Sequence, residues 1–174
     1  MTILVSPLSR VLELVAARTP DRVISILDPD TPFPELGVTY AGRHLRLTFH
    51  DVHAAAPGLV PVMDEHIEQL LSFLGAWHDG ESILIHCHAG IGRSTATGFV
   101  ARCYRNPSAS ELAIAHDLRR VAPLSRPNEA VVRIADRLMR RRGRMIDAIR
   151  QTGRGLGWVE VNEGIPFELP SLMD

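Results

Sequence analysis

The sequence predicts an α/β domain: a central, mostly parallel sheet flanked by helices, with a helical C-terminal part. Three observations predict it. Short apolar runs alternate with segments whose apolar residues recur at helical spacing. One run, Ile83-Leu84-Ile85, is apolar throughout, as a central parallel strand covered on both faces must be. After Arg93 the texture is helical to about Arg150.

The elements follow in order. Ile3-Leu4-Val5 reads as a first short strand, and Leu8, Val11, Leu12 and Val15 form a helical stripe over residues 8–17. Val23–Leu27 is a second strand, closed by the turn-rich Asp28-Pro29-Asp30-Thr31-Pro32. His44–Phe49 alternates polar and apolar residues as a strand does. Met63, Ile67, Leu70, Leu71, Leu74 and Trp77 define a helix, and the central strand at 83–85 follows. Three further helices are expected over Thr95–Tyr104, Ser110–Val121 and Asn128 to about Arg150. Ser108 and Glu111 make a capping-box pattern for the second of these, and Pro127-Asn128 starts the third. The basic run Arg140-Arg141-Arg142-Gly143-Arg144 reads as a solvated helix end. The tail, Gly153–Asp174, holds a strand-like Trp158-Val159-Glu160-Val161; its acidic and aromatic residues pack on the domain or mediate self-association. Without repeats, residues 1–174 are expected to form one domain, with a core over about 2–150 and a C-terminal extension over 151–174.

At 174 residues, the chain is long enough to bury a core without staples. Hydrophobic residues are 45%, charged residues 22% and the net charge −1, a composition that excludes a disordered chain. A charge so near zero argues against a nucleic-acid partner. No apolar run approaches the roughly 20 residues of a spanning helix, so no membrane is expected. The N-terminus lacks the basic n-region of an export signal, and Cys87 and Cys103 make no disulfide framework, so a cytoplasmic location is expected. All 19 basic residues are arginine, which reads as genome composition rather than chemistry.

The chemistry concentrates in residues 82–95, SILIHCHAGIGRST. Five residues, His88, Ala89, Gly90, Ile91 and Gly92, separate Cys87 from Arg93. Glycines at 90 and 92 let the backbone curl tightly, so that successive amides point inward as an anion-binding nest. The helix starting near Arg93 adds its positive N-terminal end, and Arg93 a planar fork for phosphate oxygens. Such a field favours thiolate over thiol. Cys87 is therefore the candidate nucleophile, under the phosphorus of a phosphomonoester, with Arg93 and the loop amides holding the equatorial oxygens. Ser94 hydrogen-bonds the sulfur in the hydrolytic step, and His86 orients the loop.

His86-Cys87, five residues and Arg93-Ser94 match the H-C-x5-R-S/T signature, and over residues 2 to about 150 the chain resembles the cysteine-based protein tyrosine phosphatases. Ala89–Ser94 looks like the tyrosine-specific branch. The short chain is more similar to the compact dual-specificity-like enzymes, including small bacterial ones. The resemblance implies a phosphatase-like α/β fold, a phosphocysteine intermediate, a phosphorylated protein as partner, and neither cofactor nor metal.

It also implies a general acid: an aspartate on a mobile loop, some thirty-odd residues before the cysteine. Asp79 sits in the turn feeding the central strand, Asp64 at a helix start, and Asp28 and Asp30 at an earlier strand end. Asp51, 36 positions before Cys87 and just past the His44–Phe49 strand, is the candidate acid. The alternative is that Asp51 caps a turn. Asn128, in an Arg126-Pro127-Asn128 segment that resembles an active-site rim, is expected to cap its helix or to orient water.

Other readings stay in view. His50, Asp51, His53, His86, Cys87 and His88 offer metal ligands, yet side chains of three consecutive strand residues alternate faces. Cys87 alone reads as a buried structural cysteine, a reading that the glycines and Arg93 displace. Cys103 lies on a helical stripe and reads as core, with a redox partnership to Cys87 as the alternative. A non-catalytic phospho-residue binding module would keep the pocket without turnover. A phosphoinositide or small phosphometabolite phosphatase would carry extra cations in the loop, where positions 88, 89, 91 and 92 are His, Ala, Ile and Gly. His88 adds charge only below neutral pH.

Overall fold

The structure, a computed structural model, describes residues 2–153, 155 and 162–173. Among the described residues, five strands form one sheet in the order β3-β2-β4-β1-β5. These are β1 (Thr2–Pro7), β2 (Arg22–Leu27), β3 (His44–Thr48), β4 (Ile83–Cys87) and β5 (Phe167–Pro170). The first four run parallel, and β5 pairs antiparallel with β1. The fully apolar run at 83–85 is the central strand, as its composition demands. The strand-like residues 158–161 lie outside the described residues, but the tail does enter the sheet further on, through β5.

Alternation along the strands sorts two cores. Ile3, Val5, Ile24, Ile26, Ile83 and Ile85 face the main core, which they share with Leu70, Leu74, Trp77, Phe99, Val131 and Met145. Leu4, Val23 and Leu84 face the other side, against Val11 of α1 (Val11–Arg18). Each such side chain contributes about 1.5–3 kcal/mol by leaving water. The main-core face carries α2 (Asp64–Gly75), α3 (Arg93–Arg105), α4 (Glu111–Val121), α5 (Glu129–Leu138) and α6 (Arg144–Gln151). Of these α3 is central, with every residue from Arg93 to Cys103 buried.

Three local expectations need correction. The N-cap of α4 is Ser110, which accepts the Ala113 amide at 3.3 Å; Ser108 does not cap, and Glu111 pairs with Arg141 and Arg144 instead. The helix expected from Asn128 to Arg150 is two helices, broken where Arg140, Arg142 and Gly143 adopt positive φ. A left-handed arginine costs about 1–2 kcal/mol, so something must compensate. Asp136 accepts the amides of Gly143 (2.7 Å) and Met145 (2.8 Å), and Arg141 turns inward to the carbonyls of Cys103 (2.7 Å) and Pro107 (2.9 Å). The basic run is therefore not wholly a solvated helix end, because Arg141 is buried.

Candidate active site

Cys87 closes β4, and α3 begins at Arg93, so residues 88–92 must turn from a strand into a helix. Four carbonyls of this loop face outward, each accepting an amide from a different stretch of backbone or a different position on it. His88 O takes the amide of Leu8 (3.1 Å), Ala89 O that of Gly164 (2.7 Å), Ile91 O that of Arg126 (2.9 Å) and Gly92 O that of Asn128 (3.2 Å). Thr95 Oγ1 adds bonds to Ile91 O at 2.5 Å and Gly92 O at 3.0 Å. With its carbonyls held outward, the loop presents amides to its concave side. The Gly90 amide points at Cys87 Sγ from 3.3 Å, and Ser94 Oγ lies 3.2 Å from the same sulfur.

Gly90 is required twice over. Its φ is +72°, and a Cβ there would stand 2.6 Å from Pro7 N at the end of β1. Gly92 serves a different need, since a Cβ on it would collide with Asp51 Oδ2. Asp51 thus lies against the loop, on its own exposed segment, with Oδ1 accepting from Asn128 Nδ2 at 2.7 Å. That segment is pinched at its base: His50 N donates to Val60 O (2.8 Å), and Val60 N donates to His50 Nδ1 (2.9 Å). Asn128 does cap α5, its Oδ1 accepting from Ala130 (2.9 Å) and Val131 (3.2 Å), but the same side chain also holds Asp51.

Arg93 is buried, and its Nη1 donates to Asp28 Oδ1 at 2.8 Å and to Phe49 O at 2.5 Å. Asp28, at the end of β2, is thus a clamp on the arginine. This role was invisible in sequence, where Asp28 registered only as a strand-end acid. Among the described residues, Arg93 Nε meets no acceptor.

His86 is fully buried on the α1 side of the sheet, its Nε2 2.5 Å from Ser25 Oγ. Burial first, and the neighbouring His44 second, push it down to about 4, so it is neutral at pH 7. The line that His86 forms with Ser25 and His44 was not read from the sequence, because no local pattern joins residues on three strands. His88 is exposed at the mouth of the loop, with Ala89 and Ile91 partly covered beside it. Cys103 sits in the main core, and burial pushes its thiol up. Among the described residues, no three His, Cys, Asp or Glu side chains gather as a metal site.

No family model matches the chain, and no curated protein matches it. Solved structures do match. The phosphatase domain of Yvh1 from Chaetomium thermophilum superposes with a TM-score of 0.58 at 14% identity, over 82% of this chain and 93% of that one. DUSP15 gives 0.56 at 18% identity, over 90% and 94%. PTPMT1, crystallised in complex with PI(5)P, gives 0.56 at 15% identity, over 84% and 92%. At these identities the likeness is one of fold: a helix-flanked sheet shared with tyrosine and dual-specificity phosphatase structures.

Proposed function

We propose that the chain is a phosphomonoester hydrolase of the compact dual-specificity-like kind, cytoplasmic, acting on phosphotyrosine and with phosphoserine and phosphothreonine within its chemistry. One observation carries the reading: Cys87 Sγ lies at the base of a loop with four outward carbonyls, within 3.3 Å of the Gly90 amide and 3.2 Å of Ser94 Oγ. A sulfur in that position meets an amide N–H and a hydroxyl, groups that can donate to a thiolate or to an oxyanion.

The reaction runs in two displacements. The Cys87 thiolate attacks phosphorus; the P–O bond to the leaving group breaks, and Asp51 gives its proton to the departing oxygen. The inward amides of residues 88–92 and Arg93 Nε hold the equatorial oxygens, while Asp28 and Phe49 O fix the guanidinium in place. A water then attacks the phosphocysteine, Asp51 takes its proton, and the S–P bond breaks. Ser94 Oγ donates to the departing sulfur, 3.2 Å away.

The substrate class follows from charge. Between Cys87 and Arg93 no side chain carries a fixed cation, which favours a single phosphate over an inositol polyphosphate. An assay with an aryl phosphate, comparing wild type with Cys87→Ser, tests the reading. Turnover that depends on the thiol is expected; binding of phosphopeptide with no turnover in either protein would make the chain a binding module. A Cys87→Ser trap offered phosphopeptides beside phosphoinositides then reads the substrate class.

A further inference from the structure

Behind Cys87 the sheet buries a line of polar side chains. Ser6, His86 and Ser25 stand in register across β1, β4 and β2, all of them buried. His86 Nε2 is 2.5 Å from Ser25 Oγ, and Ser25 Oγ is 2.7 Å from Nε2 of His44, the first residue of edge strand β3. Arg46 Nε donates to His44 Nδ1 at 3.4 Å. Apolar residues would fill this space without the cost of desolvating polar groups, so the line calls for a reason.

The chemistry of the groups sets the direction of every bond. A guanidinium only donates, so His44 Nδ1 accepts. Burial and then Arg46 hold His44 down to about 4; it is neutral, and its single proton lies on Nε2. That proton goes to Ser25 Oγ. The serine keeps one proton to give, and His86 Nε2 receives it. His86 is neutral as well, so its own proton lies on Nδ1. Among the described residues this nitrogen has no partner at full hydrogen-bonding geometry, and the adjoining Cys87 backbone favours the protonated ring. Each bond polarises the next, and each dipole turns its positive end toward Cys87.

We propose that Ser25 and His44 are positioning residues for Cys87: they carry a one-way hydrogen-bond chain from Arg46 that fixes the His86 tautomer and sets an N–H behind the nucleophile. Without them His86 is free to carry its proton on Nε2. A bare lone pair then faces the backbone of the nucleophile, which disfavours a thiolate. The inference rests on Cys87 being the nucleophile proposed above. It assigns function to two residues, on β2 and β3, that touch neither substrate nor sulfur.

The test reads the thiol directly, as the rate of Cys87 alkylation by iodoacetate against pH, with the modified residue identified by peptide mass. Ser25→Ala is expected to slow alkylation at about pH 6 by about tenfold and to move the whole profile to higher pH. Aryl phosphate turnover is expected to lose a similar factor in kcat with KM little changed, because no substrate contact is removed. His44→Phe should act alike, the double variant should be no worse than either single one, and His44→Gln, whose amide still donates to Ser25, should recover most of the loss. An alkylation profile that stays at the wild-type position in Ser25→Ala overturns the proposal, as does a double variant whose losses add. Should Ser25→Ala fail to fold, His44→Phe on the edge strand and the exposed Arg46→Met, which removes the donor to His44 Nδ1, carry the same readout. Alkylation needs no turnover, so a wild type without phosphatase activity counts against the hydrolase reading alone.

Discussion

Asn128 Nδ2 donates to Asp51 Oδ1 at 2.7 Å while Asn128 Oδ1 caps α5 by accepting the amides of Ala130 and Val131. Its backbone amide holds Gly92 O as well. One buried residue therefore ties the proposed acid, the loop after Cys87 and a helix N-terminus together. The arrangement explains how an acid on an exposed segment is kept over the loop.

Asn128→Ser separates the two jobs of that side chain. Serine is as good an N-cap as asparagine, so the melting temperature should change little. Serine is too short to reach Asp51, so the acid loses its tether. We expect kcat to fall about tenfold for alkyl phosphates and much less for aryl phosphates whose leaving groups need no proton. Equal losses on both substrate types would reduce Asn128 to a cap.

Asp51→Asn removes the acid itself. General acid catalysis of this kind contributes about 10²–10⁴-fold, and that is the loss expected in kcat for phosphotyrosine. Binding of phosphate or vanadate should persist, since the loop amides and Arg93 are untouched. Gly92→Ala should reproduce part of the loss from the other side, because its Cβ would displace the Asp51 carboxylate. Wild-type turnover of phosphotyrosine by Asp51→Asn would move the acid elsewhere.

The strands and the tight turn from β4 into α3 were legible because each is written in contiguous residues: an apolar run, an alternation, glycines at 90 and 92 with Arg93 at a fixed offset. What escaped was long-range. Asp28 clamps Arg93 across 65 positions, and Asn128 reaches Asp51 across 77. The break between α5 and α6 escaped for the same reason, since left-handed arginines are stabilised by a buried Asp136 and by Arg141 bonds to Cys103 and Pro107. Strand β5, four residues ending in proline, carries no pattern that outweighs its length.

The tail is a fourth support of the loop after Cys87, through the Gly164 amide on Ala89 O at 2.7 Å. A Cβ at Gly164 would stand 3.0 Å from Gly90 O and 3.2 Å from Ile91 Cγ1, so alanine crowds the segment against the loop. We expect Gly164→Ala to weaken inhibition by vanadate several-fold, with a melting temperature close to that of wild type. Unchanged inhibition would make the contact incidental to the site.

Acid should unfold the protein in two stages, of which the first belongs to histidine. His86 and His44 sit near 4 in the fold against about 6.5 when exposed, both chiefly through burial. Between those values the unfolded chain binds protons that the folded chain refuses, so stability declines as pH falls from about 6.5 to about 4. For the fully buried His86 the slope approaches about 1.4 kcal/mol per pH unit at most. The carboxylates of Asp21, Glu81 and Glu111 are held below their usual range by hydrogen bonds and arginine partners. They lose their contribution only at the acid end of that window and below it. Melting temperatures measured from pH 7 to pH 4 should therefore fall before carboxylates protonate, and His44→Gln should flatten that early decline. A variant that follows the wild-type curve throughout would show that His44 is not held neutral by the fold.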